Sequence, residues 1–111
     1  MSDLQFMAMV DGASSNDIVR VLVEVGAETK KERTLLLSGN LMDVRANEDA
    51  DPSLVDGSDD EWQHYAWVVE SYPTAKTITE DDQVLLARKI REALRDEGMS
   101  VEIAASFEAR L

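Results

Sequence analysis

A dense run of acidic residues, from Asp43 to Glu61, limits what this chain can fold into, because so many charges must stay at the surface. The run holds eight of the 23 acidic residues against Arg45 alone, and so seven of the twelve net negative charges. Proline and glycine turn signals break it twice. The pattern predicts a loop over residues 46–61, called the acidic loop. We expect Leu54 and Val55 to hold its middle against the rest of the domain. Loops longer than about a dozen residues in a compact domain are usually functional or disordered.

Composition narrows the class of protein. The length of 111 residues predicts a single domain, 1–111, that carries the acidic loop. A net charge of −12 disfavours nucleic-acid backbones and anionic membranes as partners. The absence of cysteine excludes disulfide bonds and thiolate chemistry and fits a reducing compartment. The short apolar run 4–10 has no basic region before it, which is not a secretory signal, so we expect a cytoplasmic protein.

Short apolar runs before the acidic loop predict strands. Residues 5–10 read as a buried strand, and residues 28–32 as a polar connection of hairpin length. Residues 33–38 resume a strand, which a bulge or bend at Gly39-Asn40 interrupts. Residues 41–44 then continue that strand.

Residues 18–25 are the one ambiguous segment. Valines recur on one face at a period of two, and five of the eight residues are β-branched, which favours a strand. The alternative is a helix over 15–25, which Ser14 or Ser15 would cap and Gly26 would end.

The sequence after the acidic loop gives clearer signals. Residues 62–71 alternate as a strand, and residues 99–107 form a final strand. Between them, Thr79 is an N-cap with acidic residues in the first turn that follows. An apolar stripe runs through residues 83–97, and Gly98 is suited to end the helix.

These elements predict an α+β domain in two layers. We expect a mainly antiparallel sheet of about five strands, with one long helix from the C-terminal half packed on one face. If residues 15–25 are helical, the order becomes strand-helix-strand-strand-helix-strand, which resembles the ferredoxin-like arrangement.

The acidic loop and the aromatic residues that follow it predict a surface that binds protein. Closely spaced carboxylates accept bidentate hydrogen bonds from arginine and can imitate the phosphates of a nucleic acid. Trp62 follows three acids directly, so we expect it at the surface as an interface anchor, whereas Tyr65 and Trp67 fill the core beneath the helix. The candidate partner-binding residues are Glu48, Asp49, Asp51, Asp56, Asp59, Asp60, Glu61, Trp62 and Tyr72.

A calcium site is the main rival interpretation of the acidic loop. Asp49 and Asp51 have the alternate spacing of an EF-hand loop. Leu54 stands at the sixth position instead of glycine, Asp60 at the twelfth instead of glutamate, and Pro52 intrudes. The sequence therefore predicts no metal and no cofactor.

No catalytic residue is predicted. His64 is the only histidine, and with no cysteine present a zinc site is not expected. The chain has neither a Gly-x-Ser-x-Gly elbow nor a glycine-rich phosphate loop, so we expect no enzyme activity. The basic residues of the long helix are expected to match its dipole and to pair along it, as Arg88 with Glu92. They are Arg88, Lys89, Arg91 and Arg95.

In size, charge, lack of cysteine and acidic-aromatic surface, the chain resembles bacterial immunity proteins and phage-encoded anti-defence proteins that imitate DNA. No motif residues carry this resemblance, so no family site transfers. It implies an inhibitor that occludes a basic toxin, nuclease or nucleic-acid-binding protein. One alternative is an acidic secretion-type chaperone, with an apolar groove on the strands at 5–10 and 35–44. Another is a small-molecule-binding regulatory domain, which needs residues 15–25 to be helical. The sequence is compatible with either a monomer or a homodimer.

Overall fold

The chain folds into one antiparallel sheet and two α-helices, in a computed structural model that describes residues 4–111. The strands are β1 (Phe6–Asp11), β2 (Glu28–Lys31), β3 (Thr34–Leu37), β4 (Asn40–Ala46), β5 (Trp67–Pro73) and β6 (Ser100–Ala105). The helices are α1 (Ser15–Glu24) and α2 (Glu80–Asp96). Among the described residues the strand order is β2-β3-β4-β5-β1-β6. The predicted α+β class is confirmed, with six strands rather than about five.

Helix α1 overturns the strand that the valine pattern favours. Ser14 and Asp17 form a capping box, in which the Ser14 hydroxyl accepts from the Asp17 N–H at 3.2 Å and the Asp17 carboxylate accepts from the Ser14 N–H at 3.3 Å. Ile18, Val21 and Leu22 are buried at helical spacing. The cap and this burial together outweigh the weak preference of β-branched residues for strands.

Two predictions on residues 28–44 are also wrong. Residues 28–31, expected to be a connection, form β2 and pair with β3. Residues 33–44 are not one bulged strand but the hairpin β3–β4, in which Leu37 pairs with Asn40. Ser38 (φ 50°) and Gly39 (φ 74°) make the two-residue turn, and positive φ at both central residues is what a type I′ hairpin requires.

Strand β5 begins five residues later than predicted. Residues 61–64 form a 3₁₀ turn instead of the first part of a strand. The Asn47 amide donates to the carbonyls of Gln63 (3.0 Å) and Tyr65 (2.7 Å), and the Asp11 carboxylate accepts from the Ala66 N–H (3.1 Å). Side chains thus use the backbone groups that a longer strand would pair.

The long helix and the last strand agree with their predictions. Thr79 caps α2 in a capping box with Asp82, and Gly98 (φ 86°) follows its end. The ferredoxin-like alternative is not confirmed, although α1 is the helix it requires, because four strands rather than two lie between α1 and α2. Helix α2 connects β5 to β6, which lie on either side of β1.

Both helices pack on one face of the sheet, where the main core lies. Phe6, Ala8 and Val10 alternate along β1 toward this core, together with buried side chains of both helices such as Leu22 and Ile90. The intervening residues of β1 face the other way, since successive side chains of a strand point to opposite faces. There Met9 joins a second, smaller apolar cluster.

The main core contains one polar network, at the junction of β4, β5 and α2. Asn40 and Gln83, both fully buried, exchange amide hydrogen bonds at 2.8 and 2.9 Å. The Ser71 hydroxyl donates to the Asn40 carbonyl oxygen at 2.9 Å, and the Gln83 amide donates to the Leu4 carbonyl at 2.7 Å. Among the described residues, every buried side-chain nitrogen or oxygen has a partner.

We expect Gln83→Ala to lower the free energy of unfolding by about 2–4 kcal/mol, because the Asn40 amide loses its partner in a dry core and a cavity opens. Urea unfolding followed by circular dichroism measures the change. Leu85→Ala on the same helix is the control, since Leu85 is 66% exposed and its truncation should cost less than about 0.5 kcal/mol. Equal losses in the two variants would show that the network contributes little.

The tight turn at Gly39 predicts a second difference in stability. A Cβ on Gly39 would lie 2.9 Å from Ile78 Cδ1, whereas a Cβ on Gly57 would meet nothing within 4 Å, and φ is positive at both glycines. Gly57→Ala should cost about 1 kcal/mol from backbone strain alone, and Gly39→Ala should cost more. Ile78→Val removes the clashing atom and should bring the cost of Gly39→Ala down to that of Gly57→Ala. A cost unchanged by Ile78→Val would rule out the clash.

Candidate functional site

The acidic loop lies on the face of the sheet opposite the helices. It is part of the connection between β4 and β5, which covers residues 47–66. Val55 and Tyr65 from this connection pack with Met9 and Val68 of the sheet in the second apolar cluster. Tyr65, only 5% exposed, is therefore core on this face and not beneath the helix as predicted.

Hydrogen bonds within the connection hold it in shape. At its base, the Asn47 N–H donates to the Ala66 carbonyl at 2.9 Å, next to the side-chain bonds that Asn47 makes. Further along, the Glu61 carboxylate accepts from the Gly57 N–H at 2.7 Å and from the Tyr65 hydroxyl at 3.3 Å. The apolar contacts of Val55 and Tyr65, together with these hydrogen bonds, hold the connection and its carboxylates in one arrangement.

Three of the nine candidate residues have structural roles in the loop. The Asp51 carboxylate accepts from the Ser53 hydroxyl at 2.7 Å and from the Ser53 N–H at 3.0 Å, and these bonds hold its pKa below the usual 3.8. Hydrogen bonds from Ser58 lower the pKa of Asp56 in the same way. Glu61 makes the bonds already described. These carboxylates shape the loop, and fewer of their lone pairs stay open to a partner.

Four other candidates point away from the chain's own hydrogen-bond network. Glu48, Asp49, Asp59 and Asp60 are exposed, and their carboxylates accept no hydrogen bond from the residues that the structure describes. These four carboxylates are the groups of the acidic loop that are open to arginine or lysine of another molecule.

The aromatic candidates do not lie together. Trp62 is half-buried against the second apolar cluster rather than projecting from the surface. Tyr72 is at the other end of β5, where it pairs with Leu41, four residues beyond Val68. Four residues of a strand span about 13 Å, so Trp62 and Tyr72 cannot anchor one small contact.

Leu54 is exposed and does not hold the middle of the acidic loop as expected; Val55 alone of the two packs inward. Leu54 ends a 3₁₀ turn, Pro52–Leu54, and is 44% exposed, while Val55 turns inward to the cluster. Proline at the first position favours this turn, because the fixed φ of proline suits the start of a helical turn. Leu54 lies in a shallow depression of about 350 Å³ that Glu48 and Asp49 also line.

A second cleft separates the acidic loop from the sheet. Its volume is about 330 Å³. It is lined by Met7, Met9, Arg45, Asn47, Glu48, Asp49, Trp62, Gln63 and Val68. Arg45 is the one basic residue in this lining. Its Nε donates to the Glu70 carboxylate at 2.9 Å, and this ion pair compensates its positive charge. The charge that remains along the cleft is negative.

Other charged groups have structural partners. The guanidinium groups of Arg88, Arg91 and Arg95 donate to the backbone carbonyls of Arg110, Leu111 and Val101, so they hold the C-terminal segment instead of pairing along the helix as predicted. Trp67 packs at the edge of the main core with Arg33 over its ring, 5.6 Å from the centroid.

In residues 4–111, no three acidic or histidine side chains converge as metal ligands. His64 approaches the Asp49 carbonyl through Nδ1 at 3.1 Å. No helix of residues 4–111 has the length and apolar character needed to cross a bilayer.

Comparisons with protein-family models, with curated proteins and with solved structures give no match to this chain.

The Tyr65 hydroxyl gives a test of how the connection is held. Burial raises its pKa above the ordinary 10.0, and the negative charge of Glu61 raises it further. Because the folded pKa is raised, the neutral phenol stabilises the fold below pH 10, and this contribution is lost as pH rises through the folded pKa. In a Tyr72→Phe background, absorbance titration should show Tyr65 ionising above pH 10, and Glu61→Gln should lower that pKa. An unchanged pKa would mean that Glu61 does not act on Tyr65.

Proposed function

We propose that this chain is a non-enzymatic inhibitor that binds and occludes a basic surface of another protein through its acidic loop. The single observation that supports this most is the set of four exposed carboxylates with no hydrogen-bond partner among residues 4–111, on a loop that its own contacts hold in place. An immunity protein that neutralises a toxin, most simply a nuclease, has this function, as does an anti-defence protein that imitates DNA.

Electrostatics favours such a partner over other classes. The net charge of −12 attracts basic proteins at long range and raises their association rate. The preformed shape of the connection lowers the entropy that binding would otherwise lose in ordering a loop. A complex of this kind weakens as salt concentration rises, because exposed charges are screened.

Leu54 adds an exposed apolar side chain to this surface, beside the half-buried Trp62. Leu54 is 44% exposed beside Asp51 and Glu48, whereas part of the apolar surface of Trp62 is buried against the second cluster. An apolar side chain surrounded by polar groups is the usual arrangement of an interface hot spot. The bacterial cytoplasm is the compartment that suits a cysteine-free inhibitor.

An acidic chaperone is the second candidate, and one observation favours it. Leu36, Leu41 and Tyr72 lie in a row across β3, β4 and β5 on the face opposite the helices, each half-exposed. Such a row can hold an apolar segment of a client. A regulatory domain that binds a small molecule has the helix α1 that it needs, but no other observation supports it.

The test compares two double variants, each of which replaces two carboxylates by the corresponding neutral amides. A basic partner is first captured from native lysate at low salt, identified by mass spectrometry and purified. Asp59→Asn with Asp60→Asn should then weaken its binding by about tenfold or more in calorimetry. Glu92→Gln with Asp96→Asn, two exposed acids of α2 on the opposite side of the sheet, removes the same charge and should change the affinity by less than about twofold.

Three outcomes would contradict the inhibitor. Equal weakening by the two pairs would mean that only net charge matters. A captured protein that is poorly folded, binds independently of salt and is lost with Leu41→Ser would support the chaperone instead. Capture of no basic protein at all would leave the acidic loop without the proposed function.

A further inference from the structure

The cleft between the acidic loop and the sheet has an apolar floor and an acidic rim. Met7 and Met9 of β1 and Val68 of β5 lie at the floor, and Trp62 is at the wall. Met9 and Val68 are 5% and 2% exposed, so the surface open to a ligand comes mostly from Met7 and Trp62. A volume of about 330 Å³ is at the small end of ligand sites and suits one side chain rather than a large molecule.

The rim of this cleft selects the charge of an occupant. Glu48 and Asp49 line it with no hydrogen bond to their carboxylates from the described residues. The one cation in the lining, Arg45, is bound to Glu70, whose side chain is 15% exposed. An anion would be repelled, and an entirely apolar group would take water from two carboxylates and give no hydrogen bond in return.

We propose that this cleft receives one arginine or lysine side chain of the basic partner. The aliphatic stem lies on Met7 and Trp62, and the cationic head reaches Glu48 and Asp49. Long basic side chains bury their stems along apolar surface in this way. Methionine adapts its shape to an incoming group, and the tryptophan ring attracts a cation. The inference rests on the proposed function, because the basic side chain is that of the protein which the acidic loop binds.

The arrangement of Arg45 shows the same contact within the chain. Arg45 faces the cleft from β4, opposite Val68 in the sheet, and its guanidinium is bound by Glu70 on the neighbouring strand. The surface beside the acidic loop therefore already binds the guanidinium of one arginine through a carboxylate. The cleft offers a second place of this chemistry, with Glu48 and Asp49 in the role of Glu70.

A titration with N-acetyl-arginine amide tests the cleft without any partner protein. The signals followed by NMR are the methyl groups of Met7 and Met9 and the indole N–H of Trp62. We expect them to shift saturably, with a dissociation constant in the millimolar range. N-acetyl-norleucine amide, which has a stem and no charge, and guanidinium chloride, which has a charge and no stem, should each bind at least about fivefold more weakly at equal ionic strength.

Two matched double variants test whether Glu48 and Asp49 bind the cationic head of the arginine amide. Glu48→Gln with Asp49→Asn should weaken binding of the arginine amide by about threefold or more. Glu92→Gln with Asp96→Asn should leave it unchanged, and both proteins should keep the wild-type pattern of the other methyl signals. Arginine binding unaffected by the rim pair, or norleucine amide binding as tightly as arginine amide, would overturn the inference.

The two proposals can fail separately. If the arginine amide causes no saturable shift while the Asp59 and Asp60 substitutions weaken the basic partner, the inhibitor stands and the cleft is not its receptor. If the arginine amide binds as expected but no basic partner depends on Asp59 and Asp60, the cleft stands and the inhibitor fails.

Discussion

The amide pair between Asn40 and Gln83 is the contact on which the arrangement of this domain depends. Two fully buried amides satisfy one another only when α2 lies at one height and one rotation over the sheet, because each must meet the other's donor and acceptor together. Apolar packing alone tolerates small shifts, since it has no direction. Ser71 extends this constraint to β5. The network thus fixes the position of α2 over the two strands whose ends carry the acidic loop.

The position of the helices decides where function can be located. With α1 and α2 on one face, the other face of the sheet is covered, within the part of the chain that the structure describes, only by the β4–β5 connection. That cover is partial: it buries Met9 and Val68 and leaves a cleft beside Met7. The charged loop and the accessible apolar surface come together because this one connection both carries the carboxylates and shields the sheet.

The sequence predicts α2, β1, β6 and the acidic loop because their signals are local: a capped apolar stripe for α2, short apolar or alternating runs for the two strands, and a dense charge run for the loop. Sequence reasoning failed where tertiary contacts decide. The segment of α1 has valines that suit either structure, and its burial against the sheet settles the matter. The strand predicted from Trp62 begins only at Trp67, because the amide of Asn47, some fifteen residues away, donates to the Gln63 carbonyl in a 3₁₀ turn. Spacing along the chain carries no information about such a contact.

The closure of the β4–β5 connection has a consequence for how proteins of this shape diversify. The connection leaves and re-enters at neighbouring antiparallel strands, and the bond from the Asn47 N–H to the Ala66 carbonyl joins its two ends. Because the cost of closing a loop rises only slowly with its length, residues inserted into the exposed part of the connection, away from Val55 and Tyr65, should cost the fold little. The scaffold can therefore accept exposed segments of different length and charge at this position without a change in the fold.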